Sequence, residues 1–397
     1  MIEKYIDILR QLRNNEIDIS DFHYKASINS EGHSYDENQR KRFQLLIALQ
    51  YDRTKNDQPL LQELLRQEIE MHRKAPFQGL FPSIQLNSFL LSTFRNPENI
   101  WLFLDAKRAN FDTHCGFDSE YLISGGIKRT FDLVDKSNNE SKKDFYEYIG
   151  KSIDSIEITE NDLKTWLTNK SSEYNDKPAL ENIEDEIQLA IDLDEKDILK
   201  KKILEWTESL KTWNDQTLYQ LSYYEGIVDN VAGQISANEK LFEIKSSDWD
   251  KASCLQTLSQ LYLKSNNPIV AWEKIKLAQT YLRRISDWKE VGLGRFIVEN
   301  AFDVVLCIND SNNLIVKEAF AWAIKEVNNM KNLHHNLLEK TGKAAELMGD
   351  IKSRDKFFRI LEVERAKLDK MLNRKSTVHN STLPKAGRSW WQKLFGS

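Results

Sequence analysis

Apolar residues return along most of the chain at the three-to-four-residue spacing of an amphipathic helix. Phe43, Leu45, Leu46 and Leu49 open one such segment. Pro59 starts the next, with Leu60, Leu61, Leu64, Leu65 and Ile69 on one face, and Ile84, Leu86, Phe89, Leu90 and Phe94 make a third. Asn96-Pro97-Glu98 predicts the start of a fourth, which carries Ile100, Trp101, Phe103 and Leu104. Proline suits the first helical turn and an acid favours the positive helix end. Gly125-Gly126 reads as a stop. Ile183, Ile187, Ala190, Ile191 and Ile198 keep helical spacing, after a looser stretch near residues 171–178 that reads as a joint. Aromatic residues then stud long helices to about residue 245, and the stripe Trp206, Trp213, Tyr219, Tyr223 and Tyr224 reads as core packing.

The most regular pattern lies in the C-terminal third. Leu255, Leu258 and Tyr262 surround the small Ser259, Asn266-Asn267-Pro268 supplies a turn, and Ala271, Ile275 and Ala278 follow on a second helix. Thr341-Gly342 with Ala345, then Gly349-Asp350, then Phe358 and Leu361 repeats the order. Between them Ala301 sits in a helix spanning 296–308, followed by Asn309-Asp310-Ser311-Asn312-Asn313 and a helix with Ala319, Ala321, Trp322, Ile324 and Val327. Ser259 and Ala301 are 42 residues apart, Ala301 and Gly342 are 41 apart, and Ala48 and Ser88, 40 apart, sit in similar hairpins. Short side chains let paired helices approach while large ones fill the gaps beside them.

With this alternation of large, small and aromatic positions, residues 250–372 resemble a tetratricopeptide repeat whose period is lengthened to near 41. The resemblance implies stacked helical hairpins that bind peptides or partner proteins in a groove and carry no chemistry of their own. The expected fold is all-α, an α-solenoid of helical hairpins. Its expected parts are an N-terminal helical-hairpin domain (1–150), an acidic helical connector with long helices (151–245), the repeats (246–372) and a disordered basic tail ending in an aromatic motif (373–397).

Composition supports helices, because 14 glycines and 7 prolines in 397 residues are too few for the many turns of an all-β fold. The net charge of −5, with both signs mixed, gives no global positive field for a phosphate backbone, so nucleic acid is an unlikely partner. Residues 151–200 are the acidic exception, with 14 acids against 6 lysines. Cys115, Cys254 and Cys307 are odd in number and far apart, which suits a reducing compartment. No signal peptide and no apolar run of membrane-spanning length is visible, so a soluble, cytoplasmic protein is expected.

Two stretches could carry chemistry. From Asp105 to Glu120 the chain gathers Asp105, Lys107, Arg108, Asp112, His114, Cys115 and Asp118. His114 and Asp118 are four apart and could share a helix face, as metal ligands or acid–base groups do, but Gly116 weakens such a helix and no ligand signature matches. A structural loop is the favoured reading; a partner-contact loop on the groove rim, or an enzyme or regulated effector with its site there, are the alternatives. No metal or cofactor is expected. His334-His335 reads as a solvent-facing helix start. Gly292-Leu293-Gly294 lacks the strand and third glycine of a dinucleotide loop, and no phosphate-loop, zinc-protease or serine-hydrolase signature occurs.

The second stretch is the tail. From residue 373 onward it carries five Lys or Arg and no acid, and after a Ser/Thr/Asn/Pro/Gly-rich linker it ends with Trp390, Trp391, Lys393, Leu394 and Phe395 close together. Aromatic anchors on a linker point to a groove on a partner protein. The alternatives are weak contact with an anionic membrane surface, the chain's own groove, or a simple cap. The function expected from all of this is a non-enzymatic protein–protein interaction scaffold or adaptor.

Overall fold

The computed structural model describes residues 1–29, 32–75, 79–176, 180, 182–331 and 333–378, apart from the side chains of 368, 369 and 371–378. Among these residues the fold is all-α, with one two-stranded hairpin as the exception. The chain divides into two compact units, Met1–Trp206 and Thr207–Ser397.

The first unit contains α1 (Glu3–Arg13), α2 (Gln39–Asp52), α3 (Gln58–Lys74), α4 (Pro82–Ser92), α5 (Ile100–Lys107), α6 (Phe111–Gly116), α7 (Ile127–Lys136), α8 (Lys142–Ile149), α9 (Glu160–Glu173) and α10 (Ile183–Asp192). Helix α11 (Lys196–Ser209) carries the boundary. The core holds the apolar positions read from the sequence, including Leu45, Leu61, Leu65, Ile84, Phe89 and Phe103, and α2 packs on α4. Ala48 and Ser88 are buried on those two helices. Asn96 caps a short 3₁₀ turn at Pro97–Asn99, its side chain accepting the Glu98 amide, before α5 begins.

The acidic stretch belongs to this unit: Leu163, Leu189 and Leu193 join the same core. Its excess charge meets basic residues of the early helices, with Lys4 pairing with Glu195, Arg40 with Asp194, and Arg53 with Asp176. The Tyr5 hydroxyl also donates to Glu195, 2.7 Å away.

The hairpin pairs β1 (Ala26–Ile28) antiparallel with β2 (Ser34–Asp36), Ala26 opposite Asp36. Two strands of three residues are too short to show an alternating pattern in sequence. Side chains hold the pair in place, since Asp36 accepts the amides of Lys25 and Asn38.

The second unit runs α12 (Asp215–Ile227), α13 (Val231–Ile244), α14 (Asp248–Lys264), α15 (Pro268–Leu282), α16 (Gly292–Ile308), α17 (Leu314–Val327), α18 (His335–Leu347) and α19 (Ile351–Val378). Consecutive helices pack as the hairpins α12/α13, α14/α15, α16/α17 and α18/α19. The first helices α14, α16 and α18 also pack on one another, in order. The turns follow the sequence signals. Asn266 and Asn309 take the left-handed conformation, as does Gly349, and Pro268 opens α15. His334 caps α18, its ring nitrogen accepting the Asn336 amide.

The small residues do what their spacing predicts. Ser259, Ala271, Ala278, Ala301 and Gly342 are all buried. A methyl group at Gly342 would lie 2.6 Å from the ring of Phe358, so α18 and α19 approach this closely only because position 342 has no side chain.

Two expectations are corrected. Only Trp206 and Tyr224 of the aromatic stripe are core residues; Tyr219 and Tyr223 are 52% and 60% exposed, and Trp213 is 36% exposed. The two tyrosines are one helical turn apart on α12, off the face that buries Leu218, Leu221 and Tyr224. The Lys245 ammonium lies 5.0 Å from the Tyr219 ring centre, so that ring serves a cation at the surface. Second, α19 runs to Val378, past Leu372 where the apolar pattern ends. Elongating an existing helix through good helix formers such as Arg374 and Lys375 costs little.

Candidate interaction surface

Side chains join the first helices of the second unit at intervals matching the repeat. The Asn300 amide on α16 donates to Ser259 Oγ on α14 (2.7 Å, 41 residues away) and to the Gln256 carbonyl at 3.1 Å. The Lys340 ammonium on α18 donates to Glu299 (2.8 Å, again 41 residues away) and to Asp303 at 2.8 Å, both on α16. Burial pushes the Asp303 carboxyl above its ordinary range, while Lys340 works against that and is itself held charged by the two acids despite burial. The second helices are joined too. Lys274 on α15 reaches Glu239 on α13 at 3.0 Å, and the buried Trp272 donates its indole N–H to Glu318 on α17 at 3.0 Å.

The turn ends of these hairpins show a matching feature. Ile269, Leu314 and Ile351 each fall in the first turn of a second helix, α15, α17 and α19, and all three are exposed, Leu314 to 81%. A single exposed aliphatic residue is ordinary, but the same exposure at one point of three successive hairpins is not.

The stretch from Asp105 to Glu120 does not converge on one point. Asp105 pairs with Arg73 of α3 at 3.1 Å, and Arg108 pairs with Asp144 of α8. The His114 Nδ1 lies 2.6 Å from the Tyr148 hydroxyl, and Asp112 sits in the first turn of α6, where an acid is favoured. Helix α6 stops at Gly116, so Asp118 leaves the helix that carries His114 and instead accepts from the Trp166 indole at 3.0 Å and Lys170 at 3.1 Å. The side chains tie α5 and α6 to their neighbours. Lys107 is buried and donates to the carbonyls of His114 (3.1 Å) and Phe117 (2.6 Å), satisfying the end of α6; burial lowers its pKa. Among the described residues no group of three or more His, Cys, Asp or Glu is placed to hold a metal ion. Trp390, Trp391, Lys393, Leu394 and Phe395 lie outside the described residues.

Sequence reading missed a buried polar network in the first unit. Arg42, sealed from solvent, donates from Nε to Glu68 (2.7 Å), from Nη2 to Asp36 (2.5 Å) and from Nη1 to the Phe22 carbonyl (3.1 Å). The second oxygen of Glu68 accepts from Ser83 at 2.5 Å. One cation, two acids and a hydroxyl thus hold the hairpin, α2, α3 and α4 together. The partners are 6 to 26 residues from Arg42, and no local periodicity links them. Beside α1, an open cleft of about 930 Å³ is lined by Arg13, Glu16, Asp18 and Glu63; Arg13 there is committed to Asp57 (2.7 Å) and Asp52 (2.8 Å).

Among the described residues no helix is long and apolar enough to cross a membrane. Compared with protein-family models, with curated proteins and with solved structures, the chain matches none.

Proposed function

We propose that the chain is a non-enzymatic protein–protein interaction scaffold or adaptor of the cytoplasm, whose tetratricopeptide-like second unit holds a partner protein. The observation that carries this reading is the repeated exposure of Ile269, Leu314 and Ile351 on hairpins whose first helices are bonded at 41-residue separation. A stack bonded in this way is rigid across several units, and a rigid surface loses little entropy on binding. The dispersal of Asp105, Arg108, His114 and Asp118 to separate partners supports binding over catalysis. The tail, with Trp390, Trp391, Lys393, Leu394 and Phe395, acts as a second recruitment element, because tethering raises the local concentration of a weak site.

Affinity purification with the full chain, with I269E/L314E/I351E and with residues 389–397 deleted tests the reading. Each buried aliphatic side chain is worth about 1.5–3 kcal/mol, so the triple variant should lose its partner, and the tail deletion should capture less of it. Identical captures by all three chains sink the proposal. Flotation of the full chain, but not the tail deletion, with anionic vesicles would assign the tail to a membrane surface instead.

A further inference from the structure

A second feature of the same unit lies between the end of α15, the turn at 285–291 and α17. It is a cleft of about 260 Å³ walled by Trp288 and Trp322. Three cations line it, Arg283, Lys289 and Lys325, against one acid, Glu326. Glu326 is spoken for, since Lys289 Nζ lies 2.5 Å from its carboxylate. The adjacent Arg284 points elsewhere and pairs with Asp248 at 3.2 Å. Arg283 and Lys325 have no ion-pair partner among the described residues. Arg283 and Lys325 line the same cleft, and with Glu326 taken by Lys289 the lining keeps two cations that no acid offsets.

The walls are firmly built. Asp287 adopts the left-handed conformation in the turn that presents Trp288 and Lys289, and the Glu290 amide closes that turn onto the Asp287 carbonyl at 2.8 Å. The Trp288 carbonyl sits where a side chain on residue 294 would be, 2.0 Å from an ideal methyl position, so only glycine at 294 lets the turn lie against α16. This is the role of the second glycine in Gly292-Leu293-Gly294. On the opposite wall Trp322 packs near the buried Trp272, ring centres 6.2 Å apart. These contacts brace both walls of the cleft.

We propose that this cleft is an anion site that takes one acidic side chain, a carboxylate or a phosphate monoester, from a protein segment bound to the second unit. The proposal rests on the interaction function above and deepens it by naming the chemistry of the partner. Arg283 and Lys325 supply the counter-charge. The two indole walls keep water from that side of the cleft, so the charge acts more strongly than it would on an open surface. An apolar neighbour of the acidic residue covers the indoles. The volume is below the roughly 300–1,000 Å³ of a typical cofactor or drug-sized site, which fits a side chain better than a nucleotide. The basic tail of this chain carries no Asp or Glu from residue 373 onward, so it offers this cleft no carboxylate side chain.

The test uses the full chain and fluorescein-labelled dodecapeptides in three matched sets, in which one position beside a leucine is glutamate, phosphoserine or glutamine. Fluorescence anisotropy at low and high salt reads binding to wild type, to R283E/K325E and to the milder R283Q/K325Q. Both positions are exposed, and a circular dichroism melt checks that the variants stay folded. The glutamate or phosphoserine set should bind about tenfold or more tighter than the glutamine set. That advantage should shrink with salt, fall in R283Q/K325Q and vanish in R283E/K325E. Which of the two anionic sets leads identifies the anion. Equal binding of the three sets, an advantage that survives R283E/K325E, or no binding of any set overturns the inference. Its failure is separable from failure of the scaffold reading: if the wild-type chain still captures a partner that I269E/L314E/I351E loses, the array binds but this cleft does not read charge.

Discussion

His72 is buried between two backbone groups, its Nδ1–H donating to the Glu68 carbonyl at 2.7 Å and its Nε2 accepting the Phe81 amide at 3.3 Å. The second bond needs the neutral ring, since a protonated Nε2 cannot accept, and burial holds the pKa below the ordinary 6.5 although the bond to Glu68 works the other way. The unfolded chain therefore binds a proton near pH 6.5 that the folded chain refuses. Stability should fall as pH drops below about 6.5, by at most about 1.4 kcal/mol per pH unit, until the folded ring titrates. Urea unfolding at pH 7.5 and 5.5 measures this, and His72→Gln should lose that part of the slope; an unchanged slope would refute the assignment. Gly342 gives a second residue-scale test. Alanine is the better helix former by about 1 kcal/mol, but its methyl would meet Phe358 at 2.6 Å, and overpacking of this kind costs about 1–3 kcal/mol. Gly342→Ala should therefore destabilise the chain, and Phe358→Leu in the same chain should recover part of the loss, as thermal melts can establish.

At the scale of elements, α16 and α18 share one lysine between two acids. Removing Lys340 leaves Glu299 and Asp303 close together, partly buried and unneutralised. Lys340→Met should cost about 1–3 kcal/mol at pH 7, below the value for a fully buried pair because water still reaches the site. Protonation relieves the repulsion, so the deficit should be smaller at pH 5. A deficit that is the same at both pH values would mean that the lysine contributes packing alone. The acidic stretch follows the same logic in the first unit, where pairing with Lys4, Arg40 and Arg53 lets so charged a segment join a compact unit.

At the scale of the molecule, the second unit is an ordered series of hairpins in which each helix meets mainly its neighbours. The stability of such an array is close to a sum of hairpin and interface contributions, so its ends should open first. Helix α16 packs on α14, α15, α17 and α18 and should show the slowest amide hydrogen exchange in the unit, with protection declining toward α12 and α19. Uniform protection from α12 to α19 would instead indicate a single cooperative block.

The sequence by itself determined the helices, their turns and the positions where helices nest. Each is a local or strictly periodic property: an asparagine that tolerates the left-handed turn, a proline that fits a first helical turn, a short side chain every forty-odd residues. Those signals place Ser259, Ala301 and Gly342 at buried helix positions. Which side chains meet across those contacts was decided only by tertiary structure, because a hydrogen bond from Asn300 to Ser259, or from Arg42 to Glu68, depends on how two helices lie in space. For the same reason the crowded run from Asp105 to Glu120 was not legible. Adjacent residues on a short helix and its flanking turns point in different directions, and folding sent each to a different neighbour.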